Sequence, residues 1–261
     1  MTIMLGICKF CHKNFHKREK SRIFCSQICS NRYNLNGLNK VILPRKSLFL
    51  AEFIGICLGD GYASGYQSGV TLNSIADKEY VPYVEKLVRK LFVGAGISVT
   101  KRKENAVDIR INSKQVVNFL KQNGVVSNAK YVPDWILKNP NYVLRCVRGL
   151  IDTEGSISFK VYKGSAKISV YKQLNFRNFN IELMIFIRDS IANLGLKPTS
   201  TLKHSLYLSN DRSIAVYTRL VGFSNPKLLT RSLITDITSY EKWLGGEGGI
   251  RTHDTLAGIT P

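Results

Sequence analysis

Two carboxylates in this 261-residue chain stand at the same point of a repeated pattern. The first copy, FIGICLGDG, runs from Phe53 to Gly61, and the second, VRGLIDTEG, from Val147 to Gly155. The offset is 147 − 53 = 94 for the first residues and 154 − 60 = 94 for Asp60 and Glu154. Each run carries small residues four apart, Gly55 and Gly59 in one copy, Gly149 and Thr153 in the other. On a helix such residues share a face, and small side chains there let two backbones approach closely. Two helices packed through these faces bring their C-terminal ends together, and with them Asp60 and Glu154. Close carboxylates repel, and a helix C-terminus is itself unfavourable to an anion. Cations stabilise such a pair, and carboxylate oxygens with open water positions suit Mg²⁺. Metal ions flanking a phosphate activate a water and stabilise the leaving oxygen. The pattern therefore predicts a phosphodiester-hydrolysing site on Asp60 and Glu154.

A second constellation is made of sulfur. Cys8-x2-Cys11 and Cys25-x3-Cys29 have the spacing of zinc ligands. Four thiolates on one Zn²⁺ would fold a segment too short to hold a core of its own. The basic loop between the pairs, HKNFHKREKSR, would offer charge to DNA phosphates. His12 and His16 are substitute ligands, but the four cysteines suffice. Cys57 and Cys146 fall in the repeated helices and read as core residues.

These groups need elements to hold them. In the first copy a helix ends at Gly59-Asp60-Gly61, followed by a strand candidate over Ser68–Ser74. Asp77 is placed to cap a helix with Val81, Val84, Val88 and Leu91 at helical spacing. Ala106–Asn112 alternates, with Val107, Ile109 and Ile111 on one face and Asp108, Arg110 and Asn112 on the other, as in a half-buried strand. Ser113 caps the next helix, which Gly124 closes. The second copy repeats the order. Strands are predicted over Ser156–Tyr162 and Ala166–Leu174, then a helix over Ile181–Leu194 stopping at Gly195. Two further strands, Ser200–Leu208 and Ser213–Val221, precede a last helix. Helix, strand pair, helix, strand pair, helix, twice over, is an α+β plan. The expected divisions are a cysteine module over 1–32, a basic linker over 33–47 broken by Pro44, repeats over 48–140 and 141–243, and a tail over 244–261.

The net charge of +20, from 38 Lys+Arg against 18 Asp+Glu, calls for a polyanionic partner, DNA or RNA. No secretory signal opens the chain. The apolar run around Phe53 carries Glu52 and Asp60 and falls short of the ~20 residues a bilayer needs, so no membrane is expected. The expectation is an intracellular protein, in cytoplasm or nucleoid, or in an organelle matrix if organelle-encoded, with its thiols reduced.

The two runs resemble the paired LAGLIDADG motifs of homing endonucleases. The second keeps Gly149-Leu150-Ile151-Asp152 before Thr153-Glu154-Gly155, while the first has Leu58 where the motif has its earlier Asp, a structural position in the family. The resemblance covers roughly Leu48 to Tyr240. It implies two pseudo-symmetric αββαββα repeats whose sheets form a saddle along the major groove of a long, specific double-stranded DNA site, in a monomer. It makes Asp60 and Glu154 catalytic Mg²⁺ ligands, with Gly59 and Thr153 beside them. Arg110, Asn112, Lys160, Lys167, Tyr171, Gln173 and Arg219 become base or phosphate contacts. Family members often use a basic residue to assist the water, and Lys114 and Lys227 follow strand ends at comparable places. The cysteine segment looks like the small zinc fingers attached to many mobile-element nucleases. The leading expectation is an intron-homing type of site-specific DNA endonuclease. The alternatives are a maturase that binds intron RNA, and a non-cleaving DNA-binding regulator, against which the presence of both acids argues. With no Cys or Ser opening the chain and Thr-Pro at its end, an intein is not expected.

The stretch from Gly245 to Pro261 departs from the lysine-rich body, lacks apolar periodicity and is expected to be disordered. Ile250-Arg251-Thr252 can be encoded by ATT-CGA-ACC, the complement of the GGTTCGAAT stretch of many transfer RNA T-arms. The reading frame is therefore expected to run, in antisense, into a transfer RNA gene.

Overall fold

The computed structural model describes residues 4–17, 19, 21–36, 41–127, 129–163, 168–200 and 204–235. The chain divides into two units between Val41 and Ile42. Lys167 and the tail over 244–261 lie outside the described residues.

The first unit is a hairpin and a helix. Strands β1 (Met4–Ile7) and β2 (Asn14–Lys17) pair antiparallel, and helix α1 (Gln27–Asn36) follows. The turn between the strands is tight. His12 takes a positive φ of 59°, and its N–H donates to Cys8 O at 2.9 Å. Helix α1 continues four residues past the expected end of the module at 32.

The second unit holds both repeats. The first runs α2 (Leu48–Asp60), β3 (Gly61–Ser64), β4 (Gln67–Asn73), α3 (Tyr80–Leu91), β5 (Gly96–Lys101), β6 (Ala106–Asn112), α4 (Lys114–Gln122) and a short α5 (Asp134–Leu137). The second runs α6 (Pro140–Glu154), β7 (Gly155–Lys163), β8 (Ile168–Arg177), α7 (Ile181–Ala192), β9 (Thr199–Ser200), β10 (Ser205–Ser209), α8 (Asp211–Leu220) and α9 (Pro226–Ser232). Two antiparallel four-stranded sheets result, ordered β3-β4-β6-β5 and β7-β8-β10-β9. The αββαββα plan is therefore present in both halves.

Alternation decides which sheet face is covered. Val107, Ile109 and Ile111 of β6 are buried, as are Ile157 of β7, Leu174 and Phe176 of β8, and Leu206 and Leu208 of β10. Helix α2 lies between neighbours rather than over one, and Leu50 to Leu58 are buried without a break. That is why its sequence is apolar all round. Helix α6 is buried only in its second half, from Cys146 to Asp152 except at Arg148.

The two helices meet backbone to backbone. A Cβ on Gly55 would strike Cys146 O, and one on Gly149 would strike Glu52 O. Since 52 + 94 = 146 and 55 + 94 = 149, these contacts exchange under the repeat, as a pseudo-twofold axis requires.

One expected element differs in kind. Ser213–Val221 is helical, within α8, rather than a strand. The strand expected over Ser200–Leu208 instead supplies β9 and β10. The Asn210 side chain accepts from Arg212 N at 2.8 Å, Asp211 opens the first turn, and Ile214 and Tyr217, three apart, are both buried. A good N-cap and one apolar stripe outweigh the β-branched composition of the segment. Arg219 consequently lies exposed in the last turn of α8, not on a strand.

Candidate active site

The chain leaves each central helix abruptly. Gly61 and Gly155 are already extended, at φ −91° and −88°, yet their N–H groups still close the helices on Cys57 O and Ile151 O. A Cβ on Gly61 would collide with Cys57 Cα, and one on Gly155 with Ile151 O. Glycine is thus required by lack of space rather than by φ, and the last helical residue, Asp60 or Glu154, is left at the corner. The two corners adjoin. A Cβ on Gly59 would strike Thr153 Oγ1 and lie 3.1 Å from Glu154 Cγ, so the Glu154 side chain rests against the residue before Asp60.

Burial dominates the protonation of both acids at this corner, and repulsion adds to it at Asp60. Burial, then Glu154, then Asp77 push the Asp60 carboxyl up to about 7. Burial also raises Glu154, opposed by the charge of Lys130. Lys130 Nζ donates to Gly59 O at 2.7 Å, and burial holds its ammonium below the usual lysine range. An open cleft of about 760 Å³ lies alongside, lined by Gly59, Lys130, Glu154, Arg177 and Asn180 among others. Two carboxylates at adjoining helix C-termini, costly as bare anions and with Glu154 lining the cleft, fit a divalent cation. Of the neighbours expected to help, Gly59 O holds Lys130 and Thr153 Oγ1 donates to Gly149 O and Leu150 O, each at 3.1 Å.

The lysines are distributed differently from the expectation. Lys227 is at the site's edge, its Nζ 2.7 Å from Asp77 Oδ1. Lys114 is exposed, 3.3 Å from Gly65 O and 5.4 Å from the centre of the Tyr66 ring, at the end of β3 remote from Asp60. Lys130 is the lysine that reaches the acids, and the sequence reading missed it. Its loop has no periodicity, but its distance from the acid, 130 − 60 = 70, nearly matches 227 − 154 = 73 and was the available signal. Asp77 was also misjudged. Its backbone carbonyl accepts from Tyr80 and Val81, while its carboxylate reaches Lys227 and Asn225 instead of capping α3.

The earlier acid of the second copy is buried and holds a loop. Asp152 accepts from Ser224 N at 2.8 Å, and its backbone carbonyl accepts from Asn225 Nδ2 at 3.1 Å. Burial raises its carboxyl far above the normal range. Glu52, 1% exposed, accepts from Tyr83 Oη at 2.5 Å and Ser224 Oγ at 2.6 Å, with Arg145 at 3.5 Å. These contacts tie the central helices to the segment that carries Lys227.

The sheet faces turned away from the helices are polar. In the first sheet, Arg110 and Arg102 both donate to Asp108 Oδ2, at 2.7 and 2.6 Å, and Thr71 donates to Oδ1 at 2.8 Å. Asn112 is exposed on the same face. In the second sheet, Lys160 opposes Tyr171 and Ser158 opposes Gln173. The exposed Tyr162 and Tyr171 rings meet edge to face at 5.4 Å. Lys172 points the other way, into the core, where its Nζ donates to Ser232 O and Ile234 O at 2.6 and 2.9 Å.

In the first unit, the sulfurs of Cys8, Cys11, Cys25 and Cys29 lie within 4.8 Å of one another. Two separations, Cys11–Cys25 at 3.6 Å and Cys25–Cys29 at 3.4 Å, are near the roughly 3.8 Å edge of a tetrahedron with Zn–S bonds of ~2.3 Å. Burial opposes the Cys8 thiolate, but the backbone N–H groups of Cys11, Cys25 and Phe10 outweigh it and bring the thiol down to about 6. The hydrogen bond with Cys29, with burial, pushes Cys25 up to about 12. Such a sulfur set fits one zinc ion.

No family model matches the chain. It is 24% identical over 213 residues to the replication factor C small subunit of Methanocaldococcus jannaschii, covering 77% of this chain and 11% of that one. It is 24% identical over 203 residues to the tRNA-splicing ligase RtcB of Methanopyrus kandleri, covering 67% and 20%. The chain thus spans about a tenth and a fifth of those relatives' lengths. The homing endonuclease I-WcaI, solved bound to its DNA recognition sequence, superposes with a TM-score of 0.52 at 13% identity, covering 80% of this chain and 94% of that one. The architecture is that of the LAGLIDADG homing endonucleases. Among the described residues, no helix is long and apolar enough to cross a membrane.

Proposed function

We propose that the chain is a monomeric, Mg²⁺-dependent endonuclease that cuts both strands of a long, specific DNA site, in the manner of an intron-homing enzyme. The observation that carries this reading is the meeting of Asp60 and Glu154 at the ends of two glycine-packed helices, between sheets with polar outer faces. Asp60 and Glu154 would hold the metal, with oxygens of Gly59 and Thr153 completing the set. The bound ion supplies a water of lowered pKa and charge stabilisation for the departing oxygen. Lys130 brings a proton-bearing nitrogen to Gly59 at the same corner, where it can steady the developing charge. Arg110, Asn112, Lys160, Tyr171 and Gln173 stand on the outer sheet faces, where a duplex would be read, and Lys167 belongs to the same hairpin in sequence. The net charge of +20 suits the partner.

The test is cleavage of a plasmid library carrying a randomised insert, together with DNA flanking the gene. One sequence should be cut on both strands in Mg²⁺ and none in chelator. Asp60→Asn and Glu154→Gln should abolish cutting while leaving binding to that sequence largely intact. Wild-type cutting rates in either variant would overturn the assignment of the acids.

A further inference from the structure

The two halves reach the site through unlike residues at like places. In each half the first strand pair is followed by a loop and a helix, β4 to α3 and β8 to α7. Just before the helix stands Asp77 in one half and Asn180 in the other. Their backbone carbonyls do the same local work. Asp77 O accepts from Val81 N at 3.0 Å, and Asn180 O from Met184 N at 3.1 Å.

Their side chains cross to the opposite half. Asn180 Nδ2 donates to Lys130 O at 2.6 Å. Asp77 Oδ1 accepts from Lys227 Nζ at 2.7 Å and from Asn225 Nδ2 at 3.1 Å. Each therefore grips the lysine-bearing segment of the other half. The amide grips a backbone carbonyl and leaves the Lys130 ammonium to Gly59 O, beside the acids. The carboxylate grips the ammonium itself. A further difference reinforces this one. Asp152 fastens the loop ahead of Lys227 through Ser224 and Asn225, whereas Leu58, its counterpart at 152 − 94 = 58, has no polar group to do so.

We infer that Asp77 is a positioning residue that pairs with Lys227 and withholds its charge, so that the two half-sites act unequally and the strands are cut in a fixed order. The half-site served by Lys130 acts first. This rests on the endonuclease reading. An ammonium bonded to a carboxylate presents a neutral pair to the phosphate, and that carboxylate adds repulsion of its own. The Lys130 ammonium, hydrogen-bonded among the described residues to a carbonyl and lying beside the Asp60 and Glu154 carboxylates without a direct bond to either, stays available to the developing oxyanion at the acids.

The experiment uses two substrates: a supercoiled plasmid carrying the target, which reports the nicked circle, and a linear duplex carrying the same target with each strand labelled at its own 5′ end, which reports the two strand rates. Wild-type protein should pass through a nicked circle. One strand should be cut on the order of tenfold faster than the other, less than the ~10²–10⁴-fold a fully positioned acid–base group contributes, because pairing with Asp77 weakens Lys227 without removing it. Asp77→Asn makes the position resemble Asn180. It should speed the slow strand severalfold, shorten the life of the nicked circle and leave the fast strand unchanged. Asp77→Ser should do the same, since the charge is what matters. A readout free of metal and DNA accompanies these rates. In protein labelled at lysine ε-carbons, the Lys227 resonance should move on Asp77→Asn while that of Lys130 stays. Equal strand rates in wild type, or an unchanged ratio in both variants, would overturn the inference and leave the endonuclease reading standing. If wild-type protein cuts neither strand of any target, both fall.

Discussion

Asp60 carries the cost of the site before any metal arrives. Its carboxyl moves from an ordinary 3.8 to about 7, chiefly by burial and secondarily by Glu154 and Asp77. A carboxyl whose folded pKa lies above its unfolded one favours the folded state fully below about 4, and loses that contribution as pH rises through about 7. The displacement corresponds to at most on the order of 4 kcal/mol. Glu154 and Asp152 are displaced in the same direction. Metal-free protein should therefore melt higher at pH 5 than at pH 8. Asp60→Asn should remove much of that slope, raising the pH 8 midpoint. Mg²⁺ should stabilise wild type more at pH 8 than at pH 5, because it competes with the proton for the same oxygens. Calorimetry over that range, with and without the ion, checks all three. Asp60 and Glu154 were legible at this scale because the repeat put an acid before glycine twice. Lys130 was marked only by its offset from Asp60, and the Asp77 side-chain contacts not at all, because loop residues become neighbours through the tertiary path of the chain and carry no period of their own. Asp77 was positively misleading, for an acid just ahead of a helix reads as a cap whatever its side chain goes on to do.

The central helices depend on missing side chains. A methyl at Gly149 would enter space already held by Glu52 O and lie 2.8 Å from Ile56 N, and backbone has little freedom to give way. Gly149→Ala should improve helix propensity by up to ~1 kcal/mol. It should still destabilise the protein by about 1–3 kcal/mol, the usual cost of overpacking. Urea unfolding measures the balance, and a net gain would show that the helices separate freely. Cutting should fall further than stability, since forcing the seam apart also moves Asp60 from Glu154. The seam was readable from small residues four apart, a signal that survives any reshuffling of the rest. Alternation likewise located β6, where Val107, Ile109 and Ile111 face the core. It failed at Ser213–Val221, where β-branched residues sit behind the Asn210 cap and helix wins. Local composition there favoured one state and the element's boundary the other.

At the scale of the whole chain, a cysteine unit and a two-fold repeat are joined in one polypeptide. We expect one tightly held Zn²⁺ in the first unit. Cys25→Ser should lose it, as should Cys8→Ser, and DNA affinity should drop while the cutting rate of bound DNA persists. Metal analysis of protein purified without chelators, with binding and single-turnover cleavage measured side by side, decides this. An absence of zinc would remove the assignment. The cysteine spacing was legible because each pair, Cys8 with Cys11 and Cys25 with Cys29, falls within one short turn, where two thiolates can reach the same ion. Which residues share the outer face of the first sheet was legible from alternation, but their pairing was not. Arg110 was foreseen, but not that Asp108 would bind it together with Arg102.

The backbone contacts across the central seam bear on how such a protein changes over generations. Contacts made by carbonyls and α-carbons hold little information about which side chains lie elsewhere. Provided the glycines remain, either half can accumulate substitutions on its own sheet without renegotiating the joint. Two copies 94 residues apart in one chain can thus drift separately and, on the proposed endonuclease reading, each can follow its own flank of a changing target. A dimer of identical subunits is denied this liberty, because any substitution appears on both sides at once.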